Sequence, residues 1–322
     1  MPFTMRQSSL KKLSGGDFSN LGGFVLKLKS IPKGETFGGQ NDRGLSIDVG
    51  TENIRLLTSG YYDNHAMKLH TMDGVECCSC GAGAGAGAQS NFEKMSFVAL
   101  NESYVASGGE DGNVRVFVVD QFGTFEGVGI WPLHACEISA VAVCVGLGIC
   151  VSGDVNGEVC LSSLANGGVV KRLKFSGEKG GVKKLAIGVG NGLVCVVVGG
   201  GGVKMVSVSG GEVIASMEQG EEGGGDDNDE VNVVEFGNDG KFVVIGGAGG
   251  SLKIYSSHNL KMVRSLDFRL FGGISSIGFS PEDHSVDQYL FVGHRNGAVS
   301  VIADPKHRLL MLDSALESLP WF

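Results

Sequence analysis

Two segments of the 322-residue chain concentrate side chains that could bind a metal ion. Cys77, Cys78 and Cys80 form one cluster, but nothing in the sequence repeats the paired spacing of a structural zinc site. Residues 218–230 could offer carboxylates to Ca²⁺, but they lack the EF-hand order of ligands, with Gly at the sixth position and Glu at the twelfth. We therefore expect free thiols and a solvated acidic loop, with no metal and no cofactor.

The sequence gives weak support for an enzyme. Residues 272–276 (GGISS) do not form a G-x-S-x-G nucleophile elbow, and residues 188–192 (GVGNG) lack the helix that a phosphate-binding loop needs. The seven histidines are scattered and form no H-x-x-x-H pair on a helix. We expect a non-catalytic protein. A hydrolase, or a metal-dependent activity from residues that converge on the axis of the fold, stays an alternative.

A repeated strand–turn–strand unit would position these side chains. Residues 107–119 (SGGEDGNVRVFVV) place an Asp-Gly turn between two apolar runs, which is a strong hairpin signal. Five related units occur elsewhere in the chain. The first glycines of the six units lie at positions 60, 108, 153, 199, 246 and 293, so that successive spacings are 48, 45, 46, 47 and 47 residues. A period of roughly 40–50 residues with such a core is typical of propeller blades.

The repeat predicts the fold class and the domain limits. We expect an all-β propeller over residues 21–304, with six clear blades and a seventh built from the N-terminal region. Residues 1–20 are polar and slightly basic, and we expect a flexible arm there. Residues 305–322 change to a helical period, with leucines at one face, and predict a helical tail.

Charge and hydropathy narrow the possible partners and the compartment. The net charge is −9 with no long basic run, which argues against a nucleic-acid partner and makes direct adhesion to anionic lipid improbable. The sequence shows no signal-peptide core and no run of about 18 apolar residues. We expect a cytoplasmic protein whose association with membranes is only indirect.

The repeated units resemble WD repeats, in which an apolar strand, Ser-Gly, an Asp-Gly turn and a V-x-V-[WFY] strand follow one another. Phe117 and Tyr255 stand where the repeat has Trp. The resemblance implies an all-β propeller of the WD type. It also implies a structural hydrogen-bond set in the third blade, made by His134, Ser152 and Asn156, with Ser162 in place of Trp.

A narrower resemblance is to the C-terminal propeller of BEACH-domain (neurobeachin-like) proteins. It rests on residues 56–64 (LLTSGYYDN), on residues 138–143 with 151–157, and on residues 274–281 with 289–293. The resemblance implies a scaffold for protein–protein interaction in vesicle traffic, lysosome-related organelles or autophagy, peripheral to endomembranes. A BEACH domain is one partner that it suggests. A WD adaptor of a coat, a ubiquitin-ligase receptor or a signalling subunit is the alternative.

In WD repeats the turns between the second and third strands of the blades commonly bind partners. On that analogy the candidate partner-binding residues are Tyr61, Tyr62, Asp63, Glu110, Asp111, Asn156, His294 and Arg295. Tyr and Arg bury a large area while they keep a polar tip, which suits an interface anchor. The alternative for Asp63, Asp111 and Asn156 is that they only build their turns.

Overall fold

The chain folds into antiparallel β-sheets. The computed structural model describes residues 44–49, 54–59, 67–71, 76–80, 95–101, 104–119, 125–175, 181–218, 230–237, 239–279, 289–296 and 298–303. Within these ranges every regular element is a strand, apart from one 3-10 turn at Arg269–Phe271. The all-β expectation is therefore confirmed. No helix in these ranges has the length and the apolar content needed to cross a bilayer.

Each sheet takes its strands from one continuous stretch of chain. Sheet 1 contains β1 (Gly44–Val49), β2 (Ile54–Ser59), β3 (Met67–Thr71) and β4 (Glu76–Cys80). Sheet 2 contains β5 (Met95–Asn101), β6 (Tyr104–Gly109), β7 (Asn113–Val119) and β8 (Phe125–Pro132). Sheet 3 contains β9 (Ile138–Cys144), β10 (Ile149–Asp154), β11 (Glu158–Ser163) and β12 (Val169–Lys174).

The second half of the chain repeats this organisation. Sheet 4 contains β13 (Val182–Gly188), β14 (Leu193–Val198), β15 (Val203–Ser207) and β16 (Val213–Met217). Sheet 5 contains β17 (Val231–Phe236), β18 (Phe242–Gly247), β19 (Ser251–Ser256) and β20 (Met262–Asp267). Sheet 6 contains β21 (Ile274–Phe279), β22 (Tyr289–His294) and β23 (Val299–Ala303).

The strand–turn–strand units expected from the sequence form the second and third strands of the six sheets. The turns between these strands contain glycines in a backbone conformation that residues with a Cβ rarely adopt. Gly112 has φ of 74° and Gly157 has φ of 81°, both in the left-handed region. Because adjacent strands in the sequence are also adjacent in the sheet, short turns are sufficient to connect them.

The first strands bring successive sheets together. β1 contacts β5, β5 contacts β9, β9 contacts β13, β13 contacts β17, and β17 contacts β21. This order is compatible with a propeller-like fold. Among the described residues no strand joins sheet 6 to sheet 1 by hydrogen bonds.

An apolar core lies between each pair of neighbouring sheets from sheet 2 onward. Ile138 belongs to the cluster between sheets 2 and 3, and Leu161 to the cluster between sheets 3 and 4. Met205 lies between sheets 4 and 5, and Leu252 between sheets 5 and 6. All four side chains are fully buried. A single sheet would leave these faces in water, so each sheet depends on its neighbours for stability.

The repeated glycines give this packing its close fit. Three of them face the first residue of the next sheet: the pairs are Gly108 and Ile138, Gly153 and Val182, and Gly246 and Ile274. A Cβ on Gly153 would lie 2.5 Å from Cγ1 of Val182, closer than two non-bonded carbon atoms can approach. The regular spacing of these glycines in the sequence is therefore also explained by close contacts between neighbouring sheets.

The predicted N-terminal arm (residues 1–20), the seventh blade from the N-terminal region and the helical tail (residues 305–322) lie outside the described residues. The acidic segment lies there as well, apart from its ends.

Candidate functional site

One end of the sheets gathers two kinds of connection. The turns between second and third strands lie beside the connections that lead into the next sheet, and the two are joined by backbone hydrogen bonds. His134 N–H donates to the Gly112 carbonyl at 3.0 Å, and Arg295 N–H donates to the Gly273 carbonyl at 2.8 Å. We call this surface the turn face. Its described turns are residues 110–112, 155–157, 199–202, 248–250 and 295–296.

Asp111 builds its own turn. Its carboxylate accepts a hydrogen bond from the Asn113 backbone N–H at 3.1 Å and forms a two-point ion pair with Arg115, whose side chain is buried. Burial alone would raise the pKa of Asp111, but the hydrogen bonds from Arg115 and Asn113 outweigh it and lower the pKa. The carboxylate is therefore ionised and engaged within the turn.

A buried polar cluster holds the equivalent turn in sheet 3. His134 lies between Ser152, whose Oγ is 2.7 Å from Nε2, and Asp154, whose Oδ2 is 3.2 Å from Nδ1. Asp154 also accepts the backbone N–H groups of Asn156 at 2.9 Å and Glu158 at 2.8 Å. Since a carboxylate can only accept, the imidazole proton lies on Nδ1, and Nε2 accepts from the Ser152 hydroxyl.

This cluster corrects the set expected from the sequence. Asp154, and not Asn156, takes the acidic position beside His134. The side chain of Asn156 is exposed and donates from Nδ2 to the Cys136 sulfur at 3.1 Å. Ser162 donates its hydroxyl to the Cys150 carbonyl at 3.2 Å, so it does not continue the chain of side-chain contacts from Ser152.

The cluster has the order of a Ser–His–Asp relay, but its position prevents substrate contact. Ser152 and the His134 side chain are both 0% exposed, and Asp154 is 3% exposed. Burial lowers the pKa of His134, and Asp154 only partly opposes this, so the imidazole is neutral near pH 7. A nucleophile must reach a reacting atom at about 3 Å, which a hydroxyl inside a packed sheet cannot do. The cluster fixes a turn to its sheet.

The structure places His294 and Arg295 differently, although they are adjacent in the sequence. His294 is buried: its Nε2 is 2.9 Å from Oγ of Ser300, and its ring lies 5.3 Å from that of Phe268 and 5.4 Å from that of Phe271. Arg295 is exposed on the turn face. His294 is therefore a packing residue in this structure, and only Arg295 can contact a partner directly.

Two apolar residues of the turn face were not predicted. Leu270 is 97% exposed and Phe271 is 39% exposed, both in the 3-10 turn that precedes β21. Asp267 fixes this turn, because its carboxylate accepts the Arg269 backbone N–H at 2.9 Å and pairs with the Arg269 guanidinium at 2.7 Å. The adjacent apolar residues Leu270 and Phe271, in a short connection between two strands, are the sequence signal that could have revealed them.

The remaining candidates are divided between the surface and the undescribed part of the chain. Glu110 is partly exposed on the turn face, whereas Tyr61, Tyr62 and Asp63 lie outside the described residues. No group of three or more His, Cys, Asp or Glu side chains within the described ranges is arranged to hold a metal ion. Five cysteines are free thiols: Cys136, Cys144, Cys150, Cys160 and Cys195. Burial raises the pKa of Cys160 to about 11.

Comparison with known proteins supports the all-β architecture but does not assign the chain to a family. No family model matches the chain, and no curated protein matches it. Solved structures do match. One is the crystal structure of the computationally designed Ika8 protein, which superposes with a TM-score of 0.58 at 18% sequence identity, over 84% of this chain and 73% of that chain. A likeness at this identity concerns the fold alone.

Proposed function

We propose that the chain is a non-catalytic protein-binding module whose six sheets are blades of a WD-type propeller. The order of contacts between first strands and the apolar core between neighbouring sheets support the propeller. Closed packing around an axis would protect the sheet at each end of the series. Sheets held in this way keep their connecting loops in fixed positions, as a recognition surface requires.

The observation that carries the function is the exposed apolar pair on the turn face. Leu270 and Phe271 are presented by a turn that Asp267 fixes and that packs on His294, so a partner would meet a preformed surface. Arg295 lies beside them, because its backbone is bonded to Gly273. An apolar anchor next to an arginine is a combination typical of interface hot spots.

The pathway is proposed on the sequence resemblance. The resemblance of residues 56–64, of residues 138–143 with 151–157, and of residues 274–281 with 289–293 to BEACH-type propellers favours a scaffold in vesicle or membrane traffic, or in autophagy. Such a scaffold would be cytoplasmic and held at endomembranes through other proteins. A WD adaptor of another assembly would use the same turn face. The identity of the proteins bound there distinguishes the two.

The experiment compares matched exposed apolar residues on opposite ends of the sheets. Val189 is 57% exposed and lies in the turn from β13 to β14, at the end away from the turn face. Full-length chain with Leu270→Ser plus Arg295→Ala, or with Val189→Ser, is used as bait in cell extract, and bound proteins are quantified by mass spectrometry. We expect a defined set of proteins to fall several-fold with the first variant and to stay with the second. Equal recovery by wild type and both variants would overturn the proposed face.

A further inference from the structure

The outer strands of the sheets differ in charge. In sheets 1 to 5 the fourth strand lies at the end of the strand order, so one side of its backbone has no paired strand among the described residues. The β12 strand (VVKRLK) carries three cations and no anion, in a chain whose net charge is −9. The other outer strands carry at most one cation: β8 has one Glu, β16 has no charge, β20 has one Arg and one Asp, and β4 has one Glu.

The β12 strand also exposes apolar surface. Val169 is 47% exposed and Val170 is 55% exposed, and Lys171, Arg172 and Lys174 are exposed as well. Edge strands of soluble proteins are usually protected from pairing by charges, bulges or covering segments. Here the register shifts between Leu161 and Ser162, so the bulge is confined to the valine end of β12 and leaves the basic end regular.

The hydrogen bonds of β11 and β12 show which backbone groups face outward. Phe175 N–H donates to the Gly157 carbonyl at 2.9 Å. This bond shows which residues of β12 direct their backbone groups toward β11, because every second residue does so. Since paired and unpaired residues alternate in an antiparallel ladder, Leu173 faces β11, while the N–H and C=O groups of Arg172 and Lys174 point to the open edge.

The three cations are held to different degrees. Arg172 is fixed, because its guanidinium donates to the Leu133 carbonyl at 2.5 Å and pairs with Glu158. The stem of Lys171 packs against Gly211 of sheet 4, where a Cβ would lie 2.6 Å from its Cγ. Lys174 has no ion pair among the described residues and lies on the same side of the strand as Arg172, two positions away.

We propose that the open edge of β12 binds an extended acidic segment of a partner protein, which adds to sheet 3 as a fifth strand. The outward backbone groups of Arg172 and Lys174 pair with the backbone of the segment. Because side chains alternate along a strand, a segment with an acid at every second residue would place its carboxylates beside these two cations. The basic end of this edge lies next to the turn at residues 155–157, but the site uses none of Leu270, Phe271 and Arg295 and does not depend on them.

The test uses fluorescein-labelled peptides and the full chain. The first peptide is about eight residues long and alternates Glu with Val, a length that matches a strand. The second has the same composition with all Glu before all Val, and the third replaces Glu by Lys. We expect saturable binding of the alternating peptide by fluorescence anisotropy, at least about fivefold weaker binding of the second, and none of the third. Equal binding of the first two peptides, or no saturable binding of the first, would overturn the proposal.

Variants separate strand addition from charge attraction. Lys174→Glu reverses the charge and Lys174→Gln removes it, and both keep the outward N–H group. Lys174→Pro removes the charge and this N–H group together, without breaking a bond to β11. Lys174→Glu and Lys174→Pro should each weaken binding of the alternating peptide at least about fivefold, and Lys174→Pro should weaken it more than Lys174→Gln does. The control Lys261→Glu reverses an exposed lysine next to β20 and should bind as wild type does, as should Leu270→Ser. Thermal melts establish that every variant is folded.

Three further outcomes would count against the proposal. Equal affinity of Lys174→Pro and Lys174→Gln would show attraction by charge without backbone pairing. Binding of the chain to vesicles that contain phosphatidylserine, lost in Lys174→Glu and not competed by the peptide, would assign β12 to a membrane surface. A concentration-dependent dimer that the peptide does not disrupt but Lys174→Pro abolishes would assign the edge to a second copy of this chain.

Discussion

The backbone of Gly153 lies against the side chain of Val182, the first residue of the next sheet. Beside this contact, Ser139 Oγ donates to the Val182 carbonyl at 2.5 Å, so one residue is held from sheet 3 by both its side chain and its backbone. Asn232 repeats the second contact further along the chain, with Nδ2 3.1 Å from the Ile274 carbonyl. Neighbouring sheets are therefore held in register by polar contacts as well as by apolar packing.

Gly153→Ala tests the steric part of this contact. The added methyl group would meet Val182 Cγ1, Cβ and Cγ2, all within 3 Å, and the packed core cannot yield without cost. We expect a loss of about 1–3 kcal/mol in the free energy of unfolding, measured by urea denaturation. The control is Gly127→Ala in β8, where a Cβ would have no atom within 4 Å. An equal effect of both substitutions would contradict the packing role.

Asp154→Ala tests the acidic member of the buried cluster. It removes the acceptor for His134 and for two backbone N–H groups, so we expect a loss of at least about 2 kcal/mol in unfolding free energy. Asn156→Ala removes one exposed contact to Cys136 and should cost less than about 0.5 kcal/mol. If Asn156→Ala were the more damaging of the two, the assignment of Asp154 would be wrong.

Glu235 predicts a pH dependence of stability. Val233 of β17 packs toward sheet 6, so Glu235, two residues further, lies on the same side. Burial raises the pKa of Glu235 from its ordinary 4.5 to about 7. A folded state that holds its proton more tightly than the unfolded state loses stability as the pH rises from about 4.5 to about 7.

The measurement for Glu235 is the melting temperature between pH 4.5 and pH 8. Glu235→Gln keeps the shape and removes the charge, so it should flatten the decline and melt above wild type at pH 8. Other groups also titrate between pH 4.5 and pH 8. Their contribution cancels when the melting temperature of the variant is subtracted from that of the wild type at each pH. Parallel curves for wild type and variant would show that Glu235 does not titrate as described.

Leu270→Ser should reduce binding of the partner without lowering the stability of the fold. The side chain is 97% exposed and buries almost nothing in the fold, so the melting temperature should change by no more than about 1 °C. Phe271→Ser should lower it measurably, because the Phe271 ring packs on Phe268 and His294. A clear loss of stability in Leu270→Ser would indicate a structural role and remove it from the proposed anchor.

The sequence predicted the repeated units better than the residues within each turn. The Ser-Gly step and the Asp-Gly turn are local signals, and they placed β6 and β7 around Gly112. In residues 152–157 (SGDVNG), by contrast, Asp154 and Asn156 both favour turns, and spacing alone does not show which carboxylate or amide faces inward. That choice depends on His134, which enters from the connection between sheets 2 and 3.

For a similar reason, the positions of the candidate partner-binding residues in the fold could be predicted only in part. Position in the repeat correctly placed Glu110, Asn156 and Arg295 at turns, but burial of His294 is decided by Phe268 and Phe271, which come from a different connection. Exposure of Leu270 depends on how the 3-10 turn projects from the sheet end, and a three-residue turn carries no periodic pattern in the sequence.

Every described strand pairs only with its immediate neighbours in sequence, and this has a consequence for biosynthesis. A nascent chain that leaves the ribosome can complete the hydrogen bonding of one sheet before the next has been translated. Only the docking of a residue such as Val182 onto the preceding sheet must wait for the following segment. Assembly can therefore advance from the N-terminal side one sheet at a time, and a ribosome pause after a complete sheet would leave fewer unpaired strands than a pause within one.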